Sequence, residues 1–96
     1  MTDPTRRFRA LAVTFPCIRR FIAQGRLPER AEPRDLMDLG GLSPTESTIV
    51  RFLLHVWNRY DNPFELDDLI GWDDQHRQAF VDWFSGRATG RAGQYF

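Results

Sequence analysis

The stretch SPTESTIVRFLLHVWNRY, running from Ser43 to Tyr60, decides the fold. Its first four residues form a capping box with proline at the first helical position. The Ser43 hydroxyl can accept from the amide of Glu46, and the Glu46 carboxylate can reach back to the amide of Ser43. Behind the box come Ile49, Val50, Phe52, Leu53, Leu54, Val56, Trp57 and Tyr60. At about 100° per residue these apolar positions cover an arc of roughly 200°, wider than a surface helix needs. Arg51, His55, Asn58 and Arg59 share what is left. The pattern predicts a central helix at about 44–60, stopped by Asp61-Asn62-Pro63.

Shorter helices are expected on both sides. Upstream, Asp3-Pro4 reads as a cap followed by a first helical residue, and Phe8, Leu11, Ala12 and Phe15 follow at helical spacing. Pro16 should end or kink that helix near Thr14. A second helix, Cys17 to Gln24, should stop at Gly25 in the position after the C-cap. Residues 26–32 read as a loop, and Pro33 to Leu39 as a short helix closed by Gly40-Gly41. Downstream, Pro63 to Ile70 reads as another short helix and Gly71-Trp72 as a turn. Asp73 should cap a last helix, Asp74 to Phe84, closed by Gly86. The expectation is an all-α fold: a compact small bundle of four to six helices around the 44–60 helix. Residues 1–86 make a single helical domain, and 87–96 a flexible C-terminal tail unless Tyr95 and Phe96 dock. The expected core is Phe8, Leu11, Ile18, Leu36, Leu39, Ile49, Leu53, Val56, Trp57, Leu66, Leu69, Phe80 and Phe84.

A chain of 96 residues buries only roughly 60–65% of the surface its unfolded form exposes. Cys17 is its only cysteine, so no internal disulfide adds stability and a reducing compartment is the natural setting. Large side chains must supply the core. Eight Phe, three Trp and two Tyr are a generous supply, enough to leave some for an interface.

Formal charge sums to zero, but the signs are segregated. Residues 1–35 hold eight Arg against four acids. Residues 61–86 hold seven acids against Arg77 alone. All thirteen basic residues are Arg, which fits GC-rich codon usage and equally fits a need for planar bidentate contacts. No run is long and apolar enough to span a membrane. Ala10 to Ile18 is broken by Pro16 and followed by no signal-type cleavage site, so a cytoplasmic location is expected.

One internal echo stands out. Pro33-Arg-Asp-Leu-Met-Asp-Leu-Gly-Gly-Leu-Ser43 aligns with Pro63-Phe-Glu-Leu-Asp-Asp-Leu-Ile-Gly-Trp-Asp73. Each introduces a longer helix. The match reads either as one duplicated unit or as common helix punctuation. Short helix, glycine turn and long helix is also the outline of a DNA-binding helix-turn-helix. That reading fails on Asp67 at a close-approach position, on Arg77 at an apolar one, and on a recognition helix opening with Asp73-Asp74 against a polyanion.

Catalytic patterns are missing from the sequence. There is no phosphate-cradling glycine loop, no recognisable Ser-His-Asp order and no calcium-loop spacing among the acids. His76 follows Asp73 by three residues, within reach of a carboxylate contact, but its plain reading is an ordinary first-turn residue. Cys17 lies in a helix first turn beside Arg19 and Arg20, which favours thiolate, yet free Cys is most often a small buried apolar residue. No enzyme activity, metal or cofactor is expected.

The expectation is therefore a small protein-protein interaction module: an adaptor, regulator or inhibitor acting on a partner's surface. Its separated charges favour oriented association, with another protein or as a homodimer. The acidic segment Asp67, Asp68, Trp72, Asp73 and Asp74 is the candidate partner-binding site, suited to a basic surface on a nucleic-acid-handling protein. The alternative is direct nucleic-acid binding. If the first helix ran on through Pro16, Arg6, Arg9 and Arg20 would share one side, with Phe8, Phe15 and Phe21 as stacking residues.

Overall fold

The computed structural model describes residues 4–87, 93 and 95. Six helices and no strand appear among them: α1 (Pro4–Ala12), α2 (Pro16–Ala23), α3 (Pro33–Met37), α4 (Pro44–Trp57), a 3-10 helix (Leu66–Gly71) and α5 (Asp74–Ser85). The fold is a small all-α bundle, as the apolar periodicity requires. The expected Asp3 cap and most of the expected flexible tail lie outside the described residues.

Four of the five α-helices open on proline. Proline's fixed φ suits the first helical position, and its missing N–H would have no helical partner there anyway. Pro16 also forces Phe15 into an extended conformation (φ −92°, ψ 121°). This ends α1 and starts α2 across a short turn at 13–15. The turn's carbonyls are satisfied locally: the Thr14 hydroxyl donates to Leu11 O (2.6 Å) and the Arg19 guanidinium to Val13 O (2.8 Å).

Gly25 ends α2 as expected, with φ +74°. Its amide donates to Ile22 O (3.0 Å), and the Arg26 amide donates to Phe21 O (2.8 Å). These are the paired bonds of a Schellman motif, and the Arg26 guanidinium lies 4.5 Å from the Phe21 ring centre, completing it.

The central helix opens through both capping-box bonds. Ser43 Oγ accepts from Glu46 N at 3.1 Å, and Glu46 Oε1 accepts from Ser43 N at 2.8 Å. It ends at Trp57, short of Tyr60, because Asn58 leaves helical geometry and its side-chain oxygen accepts from the Tyr60 amide (3.2 Å). α4 packs against α1, α3 and the 3-10 helix.

Phe52 is the hub of the core. Its ring lies 5.1–5.9 Å from those of Phe15, Phe64, Trp72, Phe80 and Trp83, mostly edge to face. Such pairs add about 0.5–1.5 kcal/mol each beyond the area they bury. Phe8, Phe15, Phe21, Phe52, Trp72 and Trp83 are all buried. The aromatic surplus is thus mainly core.

Of the expected core, Phe8, Leu11, Ile18, Leu36, Ile49, Leu53 and Val56 are buried, and Leu39, Trp57, Leu69 and Phe80 pack against them. Two expectations are corrected. Leu66 is 73% exposed and Phe84 64% exposed. Leu66 turns outward because Phe64 and Trp72 anchor its segment in the core. Phe84 lies on the outer side of α5, stacked on Phe80 (6.2 Å, 15°).

Candidate functional site

Asp73 precedes α5 as expected, but its carboxylate caps no backbone amide of that helix. Its Oδ1 instead accepts from Nδ1 of His76 (2.5 Å). The other ring nitrogen, Nε2, lies 3.0 Å from the backbone amide of Cys17. An amide can only donate, so Nε2 accepts and the proton sits on Nδ1. His76 is buried, and it bridges residues 59 apart in sequence. The Cys17 amide belongs to the first turn of α2, where helical N–H groups lack intrahelical partners. His76 therefore caps α2 from outside and fastens the start of α5 to it.

The thiol of Cys17 takes no part in this bridge. Burial pushes it up to about 12; Arg20 opposes the rise, while Glu46 and Asp73 reinforce it. Cys17 is the small buried apolar residue that a free cysteine most often is, because desolvation outweighs the helix start and the arginines that would favour thiolate. For Asp73, partial burial would raise the carboxyl, but the hydrogen bond from His76 outweighs it and holds it below its usual value. The Asp73 carboxylate, the His76 ring and the backbone amide of Cys17 thus form one hydrogen-bonded chain that ties two helix starts together.

The acidic segment splits into two parts. Trp72 is only 2% exposed, and its indole N–H donates to Thr48 Oγ1 (2.8 Å). It is a core residue, so its assignment to a partner-binding surface is corrected: a large ring with a satisfied donor gains most from burial. The acids do lie outside. Asp68 meets Arg51 at 3.4 Å, and Asp74 meets Arg77 at 4.0 Å with its own side chain fully exposed. Asp67 and Glu65 are exposed and pair with no side chain among the described residues.

What the sequence did not single out is the apolar surface beside these acids. A groove of about 400 Å³ between the 3-10 helix and α5 is lined by Leu69, Ile70, Arg77, Phe80 and Val81. Ile70 is 74% exposed, Val81 is exposed in the same groove, and Phe84, stacked on Phe80, extends the patch. The Arg77 guanidinium donates to Ile70 O (2.6 Å) across one end. Residues three apart in a 3-10 helix eclipse one another, which aligns Asp67 with Ile70. On α5, Asp74, Arg77, Val81 and Phe84 form one stripe at helical spacing. The helical spacing of Val81 and Phe84 on α5 is the signal in the sequence, and it reads equally as a core stripe.

The alternative nucleic-acid set is not brought together as the sequence suggested. The break at 13–15, as expected before Pro16, leaves Arg6 and Arg9 on α1 and Arg20 on α2, so the condition for a shared side is not met. Arg20 is engaged by Glu46 at 2.6 Å, and Arg6 is exposed. The proposed stacking residues Phe8, Phe15 and Phe21 are fully buried, so no base can reach them.

At the C-terminal end, Tyr95 docks: its hydroxyl lies 2.8 Å from His55 Nε2, whose Nδ1 donates to Asn62 O (2.8 Å). The Gly93 amide donates to Trp83 O (3.0 Å). Among the described residues, no three His, Cys, Asp or Glu side chains converge as a metal site, and no helix is long and apolar enough to cross a membrane. No protein-family model, curated protein or solved structure matches the chain.

Proposed function

We propose that this protein is a non-enzymatic protein-interaction module, an adaptor, regulator or inhibitor that acts by occupying a partner's surface. One observation carries the reading: Ile70 and Val81 stand exposed in a groove with Leu69 and Phe80, and exposed Phe84 continues it against Phe80. The chain has enough buried aromatic surface for its core without them. Contiguous apolar surface rimmed by polar residues is the usual mark of an association site. The acids around it match the polar rim of such interfaces. Relative to the sequence expectation, the site keeps Asp67, Asp68, Asp73 and Asp74 and exchanges Trp72 for the apolar groove.

The test is affinity capture from native lysate with nuclease present, comparing the natural chain with Ile70→Asp and Phe84→Asp. Both sites are exposed, so the fold should survive, as circular dichroism would verify. A protein retained stoichiometrically by the natural chain and lost with both variants supports the reading. Equal retention by the variants, or recovery that requires nucleic acid, overturns it.

A further inference from the structure

We infer that the groove between the 3-10 helix and α5 receives a cationic amphipathic helix of another protein; this rests on the interaction reading above. Its chemistry follows from where polarity is placed. Among the described residues that line the groove, the only polar side chain is Arg77, and that guanidinium is already bonded to Ile70 O. The interior therefore offers no free group to orient a small polar ligand. The negative charges stand on the rim: Asp67, in line with Ile70 and without a side-chain partner among the described residues, and Asp74, fully exposed one turn before Arg77 on α5 and only loosely paired with it at 4.0 Å. A ligand satisfying both must be apolar at its centre and cationic at its edge. A helix with apolar residues on one face and Lys or Arg flanking them has that form, and helix-in-groove docking is a recurrent mode.

A second copy of this chain does not meet the description. Its basic region, residues 4–35, carries α1 and α2, but their apolar faces are already spent on the core: Phe8, Leu11, Cys17, Ile18 and Phe21 are buried. Val13 is the one large apolar side chain classed as exposed there among the described residues. The charge match between the two halves of the chain thus lacks an apolar partner for the groove.

The experiment uses the full chain, isotope-labelled, titrated with two short helical peptides that share a leucine face and differ in Lys or Glu flanks. Amide shifts are followed by NMR. The Lys peptide should bind saturably and perturb residues of the 3-10 helix and α5. Asp67→Lys combined with Asp74→Lys should weaken it about tenfold or more and admit the Glu peptide. Ile70→Asp should remove binding of either. If the Lys peptide binds regardless of charge reversal, the cationic chemistry is wrong while the groove stands as an apolar site. Shifts mapping elsewhere, unchanged by Ile70→Asp, overturn the groove itself. Failure of both peptides overturns the helix inference and leaves the lysate capture to judge the interaction reading. Concentration-dependent self-association abolished by Ile70→Asp would assign the groove to a second copy.

Discussion

Segments 33–43 and 63–73 read alike: Pro-x-acid-Leu-x-Asp-Leu, a glycine, an apolar residue and a cap. In the first, Pro33 is buried, the α-helix begins there, and the Asp35 carboxylate accepts from the Glu32 amide (2.8 Å). Leu36 goes into the core. In the second, the position of exposed Arg34 is taken by Phe64, whose ring reaches Phe52 (5.4 Å) and Trp72 (6.0 Å). That insertion keeps 63–65 irregular and delays the helix to Leu66, where it winds as a 3-10 helix. Leu66 then faces solvent. Two aromatic substitutions in the pattern, Phe64 for Arg34 and Trp72 for Leu42, move the anchoring from the leucine to the rings. Ile70, also left outside, lines the proposed binding face with Leu69. Pattern sets where a turn falls; the residue with the most area to bury sets which side faces in.

The largest effect expected from this contrast is in the leucines. Leu36→Ala should cost about 2–5 kcal/mol, the usual range for a buried leucine truncated in a packed core. Leu66→Ala should change stability by less than about 0.5 kcal/mol, as exposed sites do. Urea unfolding of both variants measures it. Equal losses would mean that the two segments are anchored alike and that the distinction drawn above is false.

Much of the fold was readable in advance for local reasons. The capping box at Ser43, the proline starts and the left-handed Gly25 are chemistry between near neighbours, and near neighbours are what a sequence displays. The core residues of α4 follow from helical period alone. What could not be read depends on distance along the chain. Nothing around His76 announces that the Cys17 amide will meet it, nor around Trp72 that Thr48 will accept from its indole. The same limit divided the candidate site. Acids are outward almost anywhere, and Asp67 and Asp74 are exposed as their residue type alone predicts. Assigning Trp72 or Phe84 to core or surface required knowing how Phe52 gathers its neighbours.

A second, intermediate effect concerns the two caps. Both tie a long helix to α2, by different means. Ser43 and Glu46 close their box locally, and Glu46 then reaches Arg20 (2.6 Å). Asp73 leaves its own helix uncapped and holds His76 on the Cys17 amide. His76→Ala should cost about 2–4 kcal/mol, since it leaves a cavity and a buried amide without an acceptor. Ser43→Ala should cost about 1 kcal/mol, the usual value of a lost cap. In hydrogen exchange, His76→Ala should release the Cys17 amide, and Ser43→Ala should leave it protected. Release of that amide by both variants would show that the two caps are one cooperative unit.

The smallest effect separates the caps by charge. Glu46 is held below its ordinary 4.5 chiefly by the Ser43 amide, with Arg20 assisting. Asp73 is held below its ordinary 3.8 by His76, against partial burial. A carboxyl depressed in the folded state contributes stability above its unfolded value, and that contribution disappears as pH falls through the folded value. Both caps should therefore weaken on acidification below about pH 4. Both carboxylates are near solvent, and each contribution should stay under about 1 kcal/mol. Glu46→Gln and Asp73→Asn keep an acceptor for the Ser43 amide and for His76 Nδ1–H while removing the charge. Thermal unfolding between pH 5 and pH 2.5 should then fall less steeply in each variant than in the natural chain. The double variant should be flatter than either, because the carboxylates belong to different caps and their losses add. A slope unchanged by Asp73→Asn would show that the His76 bridge depends on geometry alone, leaving Glu46 as the only acid-sensitive cap.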